Sequence, residues 1–429
     1  MKRGFYSIMA AQSFSALADN ALFIAAVALM RYGHEPEWKK AALIPIFAVF
    51  YVLLAPFVGA FSDAHPKGRV MFISNAIKAV GCLMMLMGVN PLAAYAVVGL
   101  GAAAYSPAKY GILTELLPSS QLVKANGWIE GLTIASIILG TVLGGQLIHP
   151  NLFEHVLKFN FHPRMLGHLT SPPLLAIALI MNVYLIAAVI NMRIPHTGVA
   201  MIPMPKNIFS LVPDFWRCNA RLWKDKLGQI TLAVTTLFWG VSGNLRYLVL
   251  AWAAAALGYG EGQAAKLVGV VAVGTAVGAI WASMRVKLDR ATNVMPLGFL
   301  MGLVVLVLLV VKSAATAMPI FILLGALGGY MVVPMNALLQ HRGHNLMGAG
   351  RSIAVQNFNE QASTLALGFF YTFMTGRGLS SYGSVVFFGV LVAGCMALIM
   401  LWHARNVRKH PAELERLLAE ARAESPHGH

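Results

Sequence analysis

Long apolar runs, each bounded by charged residues or by Pro and Gly, recur along the whole chain. Read against a spanning length of about 20 residues, they predict twelve helices, at about 5–31, 41–62, 69–89, 91–116, 122–148, 172–192, 227–257, 263–285, 293–312, 316–339, 348–375 and 380–403. The runs are continuously apolar and do not alternate, which excludes a closed β-barrel. The first run is too long for a signal-peptide core and carries a carboxylate, so it reads as a retained first helix. Two stretches break the rhythm. Residues 193–226 are polar, contain Pro and hold six basic residues. Residues 404–429 are charged, and Pro411 followed by Leu414, Leu417 and Leu418 predicts one short amphipathic helix there.

Composition narrows the class. Only 11% of the 429 residues are charged and 58% are hydrophobic. A soluble surface carries about a quarter charged residues, so this is an all-α polytopic membrane protein. Lys and Arg then give an orientation. With the N-terminus inside, 21 of the 32 fall in inside segments, 8 in outside segments, and Lys78, Lys109 and Arg246 fall within spans. That asymmetry predicts an even number of spans with both termini cytoplasmic. It also accounts for the net charge of +16, as loops set against anionic headgroups in preference to a nucleic-acid surface. Cys82, Cys218 and Cys395 form no C-x-x-C pair, and no glycine-rich loop precedes Lys312, so neither a metal, a redox motif nor a nucleotide cofactor is expected. His149, His155, His162 and His168 are irregularly spaced in one outside segment and read as a solvated loop.

The two halves resemble each other. Phe14 and Asn20 match Phe238 and Asn244, Pro107 matches Pro334, and Glu130 matches Glu360, in the same order and at shifts of 224 to 230 residues. A shift of six spans preserves sidedness, so the halves are parallel repeats: two six-helix bundles, the plan of major facilitator transporters. The expected division is 1–192 for the first bundle, 193–226 for a cytoplasmic linker, 227–403 for the second bundle and 404–429 for a cytoplasmic tail. The loop after the second span carries Asp63, Lys67, Gly68 and Arg69, and resembles the acidic-then-Gly-Arg loop of that superfamily. Asp63 stands where it could cap the third span and pair with a basic residue of the partner helix. Gly140, Gly144, Gly145 and Gly325, Gly328, Gly329 predict small-residue packing faces.

Polar residues form stripes on particular spans. Gln12, Ser15 and Asp19 share a face of the first, with Asn20 adjacent. Trp239, Ser242 and Arg246 share a face of the seventh; Asn126, Glu130 and Thr133 of the fifth; Gln356, Asn357, Glu360, Ser363 and Thr364 of the eleventh. Lys109 follows Pro107 on the fourth. Such a lining offers both signs of charge: Asp19 or Glu360 for an ammonium, Arg246 or Lys109 for a phosphate. A zwitterionic or anionic phosphorylated headgroup suits it better than a sugar. Two readings of Asp19 and Arg246 stand side by side, direct substrate contact or a fixed ion pair between the lobes. Lys78 reads as a snorkelling side chain or a partner of Asp19 or Glu115 in preference to a substrate contact, and Glu130 as a packing or gating residue.

Segments 15–22 (SALADNAL), 105–113 (YSPAKYGIL), 124–127 (KANG), 332–340 (VVPMNALLQ) and 348–357 (GAGRSIAVQN) resemble the lysophospholipid transporter family of Gram-negative bacteria. The resemblance implies a flippase-like importer of lysophosphatidylethanolamine and related lysolipids in the inner membrane. It implies an acyltransferase/acyl-carrier-protein synthetase as the partner that reacylates them. It also implies headgroup contact or gating at Asp19, Lys109, Arg246 and Glu360; the polar stripes add Asn20 and Gln356 as candidate substrate contacts, and Asp63, Lys67, Arg69 and Glu130 read as interlobe or gating residues. Two other readings remain. A proton-coupled exporter of drugs or metabolites would use Asp19 and Glu360 as proton carriers. A lipid-modifying enzyme is the third, but no His-x4-Asp and no H-E-x-x-H motif occurs.

Overall fold

The computed structural model describes residues 3–149, 151, 154 and 171–423. Lys2, His155, His162, His168 and the tail residues 424–429 lie outside them. Among the described residues there are fifteen α-helices and no strand. In order they are α1 (Arg3–Tyr32), α2 (Glu37–Leu53), α3 (Ala55–Ala64), α4 (Lys67–Leu86), α5 (Pro91–Leu116), α6 (Ser119–Leu147), α7 (Pro172–Asn191), α8 (Leu211–Lys224), α9 (Gly228–Leu257), α10 (Glu261–Arg285), α11 (Met295–Val307), α12 (Ala314–Met347), α13 (Ala349–Gly376), α14 (Ser381–Lys409) and α15 (Pro411–Arg422).

Eight helical segments are long and apolar enough to cross a membrane, and the bent pair α2–α3 makes a ninth. Three more helices have the length, at 26, 30 and 28 residues, but not the hydropathy: α5, α9 and α13. They complete the set of twelve. These three carry Lys109, Arg246 and Glu360, so each of the three helices least suited to lipid holds one candidate residue.

The structure departs from the expected boundaries at four places. The span expected at 41–62 is two helices broken at Leu54. Pro56 stands in the first turn of α3; its ring and missing N–H end the preceding hydrogen-bond ladder. The span expected at 293–312 starts in a 3-10 segment, Leu288–Val294, and ends at Val307. The span expected to stop at 339 runs on to Met347. Its extension holds Arg342, which is 3% exposed and neutralised by two carboxylates described below. Within the stretch expected to be a polar linker, α8 buries Leu211, Phe215, Cys218 and Leu222 on one face. Phe215 and Trp216 meet Phe358 edge-on.

The chain divides into two compact units. One holds residues 1–112 and 135–211, the other 113–134 and 212–429. The core of the first is made of small residues. Ala18, Ala21, Ala25 and Ala26 of α1 pack with Cys82 and Met85 of α4, Tyr95 and Val98 of α5, and Ile177, Ile180 and Tyr184 of α7. A Cβ on Gly140 or Gly144 would meet the α1 backbone, whereas Gly145 faces open space and does not belong to the packing face. In the second unit α10 and α12 lie so close that a Cβ on Gly325 or Gly329 would strike the α10 backbone. Trp252 of α9 is fully buried and donates to the Leu308 carbonyl at 2.9 Å. Leu139, Val142, Ile186, Leu398 and Leu401 are exposed, as lipid-facing residues are.

Candidate functional site

In the first unit the polar stripe of α1 faces α4 and α7. The Lys78 ammonium lies 2.9 Å from both Asp19 carboxylate oxygens, and the Tyr184 hydroxyl donates to Asp19 Oδ1 at 2.7 Å. Lys78 also donates to Ser15 Oγ at 3.1 Å, and Ser15 donates to Asn75 Oδ1 at 2.8 Å. Of the two carboxylates the sequence offered to Lys78, the structure takes Asp19. The carboxylate proposed for an ion pair between the lobes thus has both oxygens engaged within its own unit. A buried charge is tolerated only when paired and hydrogen-bonded, and Lys78 meets that condition.

The other first-unit candidates are dispersed. Asn20 turns back to donate to the Ala16 carbonyl of its own helix at 2.7 Å. Lys109 is buried on α5, with its ammonium 4.5 Å from the centroid of the Tyr110 ring. Asp63 does not cap α4, whose N-cap is Pro66 without a side-chain bond. It pairs with Lys67 at 3.1 Å inside its own loop, and Lys67 also donates to the Ser62 carbonyl at 2.7 Å. Both side chains are 4% exposed, which makes this a buried clasp between α3 and α4. The Asp63 carbonyl accepts from Ile202 at 3.0 Å, fixing the chain beyond α7 against it. Arg69 is exposed.

The second unit brings Gln356 and Glu360 together and adds a residue that was not singled out. Gln356 Nε2 donates to Glu360 Oε1 at 2.8 Å and to Asn336 Oδ1 at 3.0 Å. Asn336 lies two residues after Pro334 on α12. Asn244 of α9 donates to the carbonyls of Gly240 at 2.9 Å and Thr364 at 3.1 Å, joining α9 to α13. Asn126 near the start of α6 donates to Gln340 Oε1 of α12 at 3.0 Å. Glu130, one turn further along α6, is buried. Arg246 is exposed and makes no ion pair within this unit among the described residues.

A second charged cluster lies at the end of α12. Arg342 grips Asp225 with two nitrogens, Nη2 at 2.6 Å from Oδ2 and Nε at 3.3 Å from Oδ1, and its Nη1 meets Glu420 Oε2 at 2.5 Å. Asp225 also accepts the backbone N–H of Gly228 at 2.7 Å, capping α9. Leu414 and Leu417 of α15 pack on Leu227, and Arg422 pairs with Asp289 at 3.1 Å. Ser119 donates to the Ala423 carbonyl at 2.8 Å. The tail helix is therefore docked. Its leucine spacing was legible in the sequence; the Asp225–Arg342–Glu420 set, spread over nearly 200 residues, was not.

The sequence profile of the Major Facilitator Superfamily matches residues 8–359. The lysophospholipid transporter LplT of Escherichia coli O7:K1 (strain IAI39 / ExPEC) is 38% identical over 405 residues, covering 94% of this chain and 97% of its own. The protein of that name from Yersinia enterocolitica serotype O:8 / biotype 1B (strain NCTC 13174 / 8081) is 41% identical over 372 residues, 86% of this chain and 87% of its own. Among solved structures, the major facilitator transporter FucP in its outward conformation gives a TM-score of 0.70 at 14% identity, over 94% of this chain and 99% of that one. That last likeness concerns the fold.

Proposed function

The chain belongs to the major facilitator superfamily and, within it, to the lysophospholipid transporter family, and we propose that it imports lysophosphatidylethanolamine and related lysolipids by alternating access. The match over nearly the full length to proteins named as lysophospholipid transporters carries this reading. The residues support it chemically. Arg246 holds an exposed guanidinium on a spanning helix, the fork a phosphate needs. Lys109 supplies a second cation, and Asp19 and Glu360 supply carboxylates for an amine. The headgroup is handled by these polar residues and the single acyl chain stays in lipid. In this reading the protein sits in the inner membrane with both termini in the cytoplasm, since most of its Lys and Arg lie on that side. Its product then needs an acyl-transfer enzyme on that face, the acyltransferase/acyl-carrier-protein synthetase that the sequence resemblance implies. Asp63, Lys67 and Arg69 act as a gate in the loop joining α3 to α4, with Glu130 on α6 as a second gating residue.

The test is uptake of labelled lysophosphatidylethanolamine into vesicles carrying the protein. Uptake should exceed that of empty vesicles and fall at least tenfold in Arg246→Ala. Uptake unchanged by that substitution removes the phosphate role, and no uptake at all removes the reading. One observation favours a second reading: among the described residues, buried Glu360 is bonded to the Gln356 amide and not to a cation, as a proton-carrying carboxylate would be. An ionophore separates the two. Import that persists without a proton gradient belongs to a facilitator; strict dependence belongs to proton coupling.

A further inference from the structure

Lys78 and Asp19 are buried unequally. The Lys78 side chain is 1% exposed and the Asp19 side chain 27%, so the pair's accessible edge is its carboxylate. Asp19 is held from behind by the lysine and by the Tyr184 hydroxyl at 2.7 Å. The ammonium has supports of its own. It lies 4.9 Å from the Tyr105 ring centroid, 5.5 Å from that of Tyr184 and 3.1 Å from Ser15 Oγ. Ring faces and a hydroxyl keep a cation in place even if the carboxylate turns to another partner. As it stands the pair is neutral overall, and it attracts a ligand charge only by exchange.

We propose that Lys78 is a specificity-determining residue, a built-in ammonium that the amine of a phospholipid headgroup displaces from Asp19. A headgroup without an amine leaves the pair closed and is held through its phosphate alone. Lys78 thereby evens out the preference between the two headgroup classes: Asp19 attracts an amine only to the extent that the amine outcompetes the lysine. This rests on the lysophospholipid reading above and adds the residue that sets headgroup preference.

The experiment uses the full-length protein in proteoliposomes. It compares uptake of labelled lysophosphatidylethanolamine, which carries an amine, with lysophosphatidylglycerol, which does not. Lys78→Gln leaves Asp19 as a bare carboxylate that draws an amine and repels an amine-free anionic headgroup. The ratio of the two transport efficiencies should rise about tenfold towards the amine-bearing lipid. The double variant Asp19→Asn with Lys78→Gln should lose that rise. Equal loss of both lipids in Lys78→Gln means that the lysine only holds helices together, and it overturns the proposal. Lys78→Arg decides the matter if Lys78→Gln does not fold. Its planar fork grips a carboxylate by two parallel bonds, so the ratio should fall below that of the wild type; a ratio unchanged or raised overturns the proposal. Wild-type protein that moves neither lipid removes instead the transport reading beneath it.

Discussion

Replacing Arg342 by Met should destabilise the second unit far more than neutralising Glu420, although both residues belong to one ion cluster. The Arg342 and Asp225 side chains are 4% and 8% exposed, whereas Glu420 is 42% exposed. Removing one member of a buried pair strands the other and costs about 3–5 kcal/mol. Met keeps the apolar stem of Arg342, and the Gly228 and Leu227 amides still bond to Asp225, which points to the lower end, about 3 kcal/mol. Glu420→Gln gives up an interaction half open to water, worth about 1 kcal/mol or less, and Asp225 keeps its guanidinium. The assay is thermal or denaturant unfolding of purified protein in detergent, with Asp225→Asn and the double variant closing a cycle. The double variant should recover part of the loss, because no buried charge is then left alone. Arg342→Met within about 0.5 kcal/mol of wild type, an ordinary surface effect, would refute the argument, as would Glu420→Gln costing as much as Arg342→Met.

Truncation before Pro411 removes Leu414 and Leu417, 5% and 2% exposed, and should cost about 2–4 kcal/mol; a lower midpoint of thermal unfolding in detergent is its readout. Glu360→Gln preserves an acceptor for Gln356 and should unfold within about 1 kcal/mol of wild type, while lysolipid uptake drops at least tenfold. Unchanged uptake would take the carboxylate out of the transport cycle. Asn126→Ala and Gln340→Ala should each cost about 1 kcal/mol and couple in a double-mutant cycle; strict additivity would show that their 3.0 Å bond does not persist in detergent. Burial, and next the Asp214 carboxylate, push the Cys218 thiol up. Its maleimide labelling should therefore be slow near neutral pH and quicken as pH rises through that higher value, faster still in Asp214→Asn. A labelling rate flat in pH would show that thiol ionisation is not what limits it.

The sequence revealed the spans because hydropathy is a local property. It revealed the candidate helices because a polar side chain in an apolar run is conspicuous. Partners were harder. Lys78 stood out as an intramembrane cation, but the choice between Asp19 and Glu115 depends on which face of α4 meets α1, and packing decides that. Tyr184 was hidden: in an apolar run a tyrosine reads as hydrophobic, and only its hydroxyl, 2.7 Å from Asp19, shows its polar use. Arg342 falls beyond the span expected to end at 339 because an unpaired arginine ends an apolar run. Its partners lie 117 and 78 residues away in sequence, beyond the reach of any local pattern. The sequence offers Asp63 a helix cap and a basic residue of the partner helix; the structure pairs it with Lys67, one helical turn on, at 3.1 Å.

The repeat itself separates scaffold from chemistry. Asn20 and Asn244, matched by sequence, each turn back to the carbonyl four residues earlier, at 2.7 and 2.9 Å. Each also meets a glycine of another helix in its own unit. A Cβ on Gly140 would lie 3.0 Å from the Asn20 side chain, and one on Gly368 2.9 Å from Asn244 Oδ1. The same helix contact is thus built twice. The charges beside it are not. Asp19 precedes the first asparagine where Gly243 precedes the second, and Arg246 follows the second by two residues where Leu22 follows the first. A duplicated bundle with identical polar residues would present like charges from both halves. A headgroup with an anionic phosphate and a cationic amine has unlike ends, and divergence at these positions places a carboxylate in one half and a guanidinium in the other. Identical substitutions should therefore act alike at the glycine–asparagine contacts, which hold helices together. At Asp19 and Arg246, where the two halves carry different residues, the proposed headgroup roles predict that the effects differ.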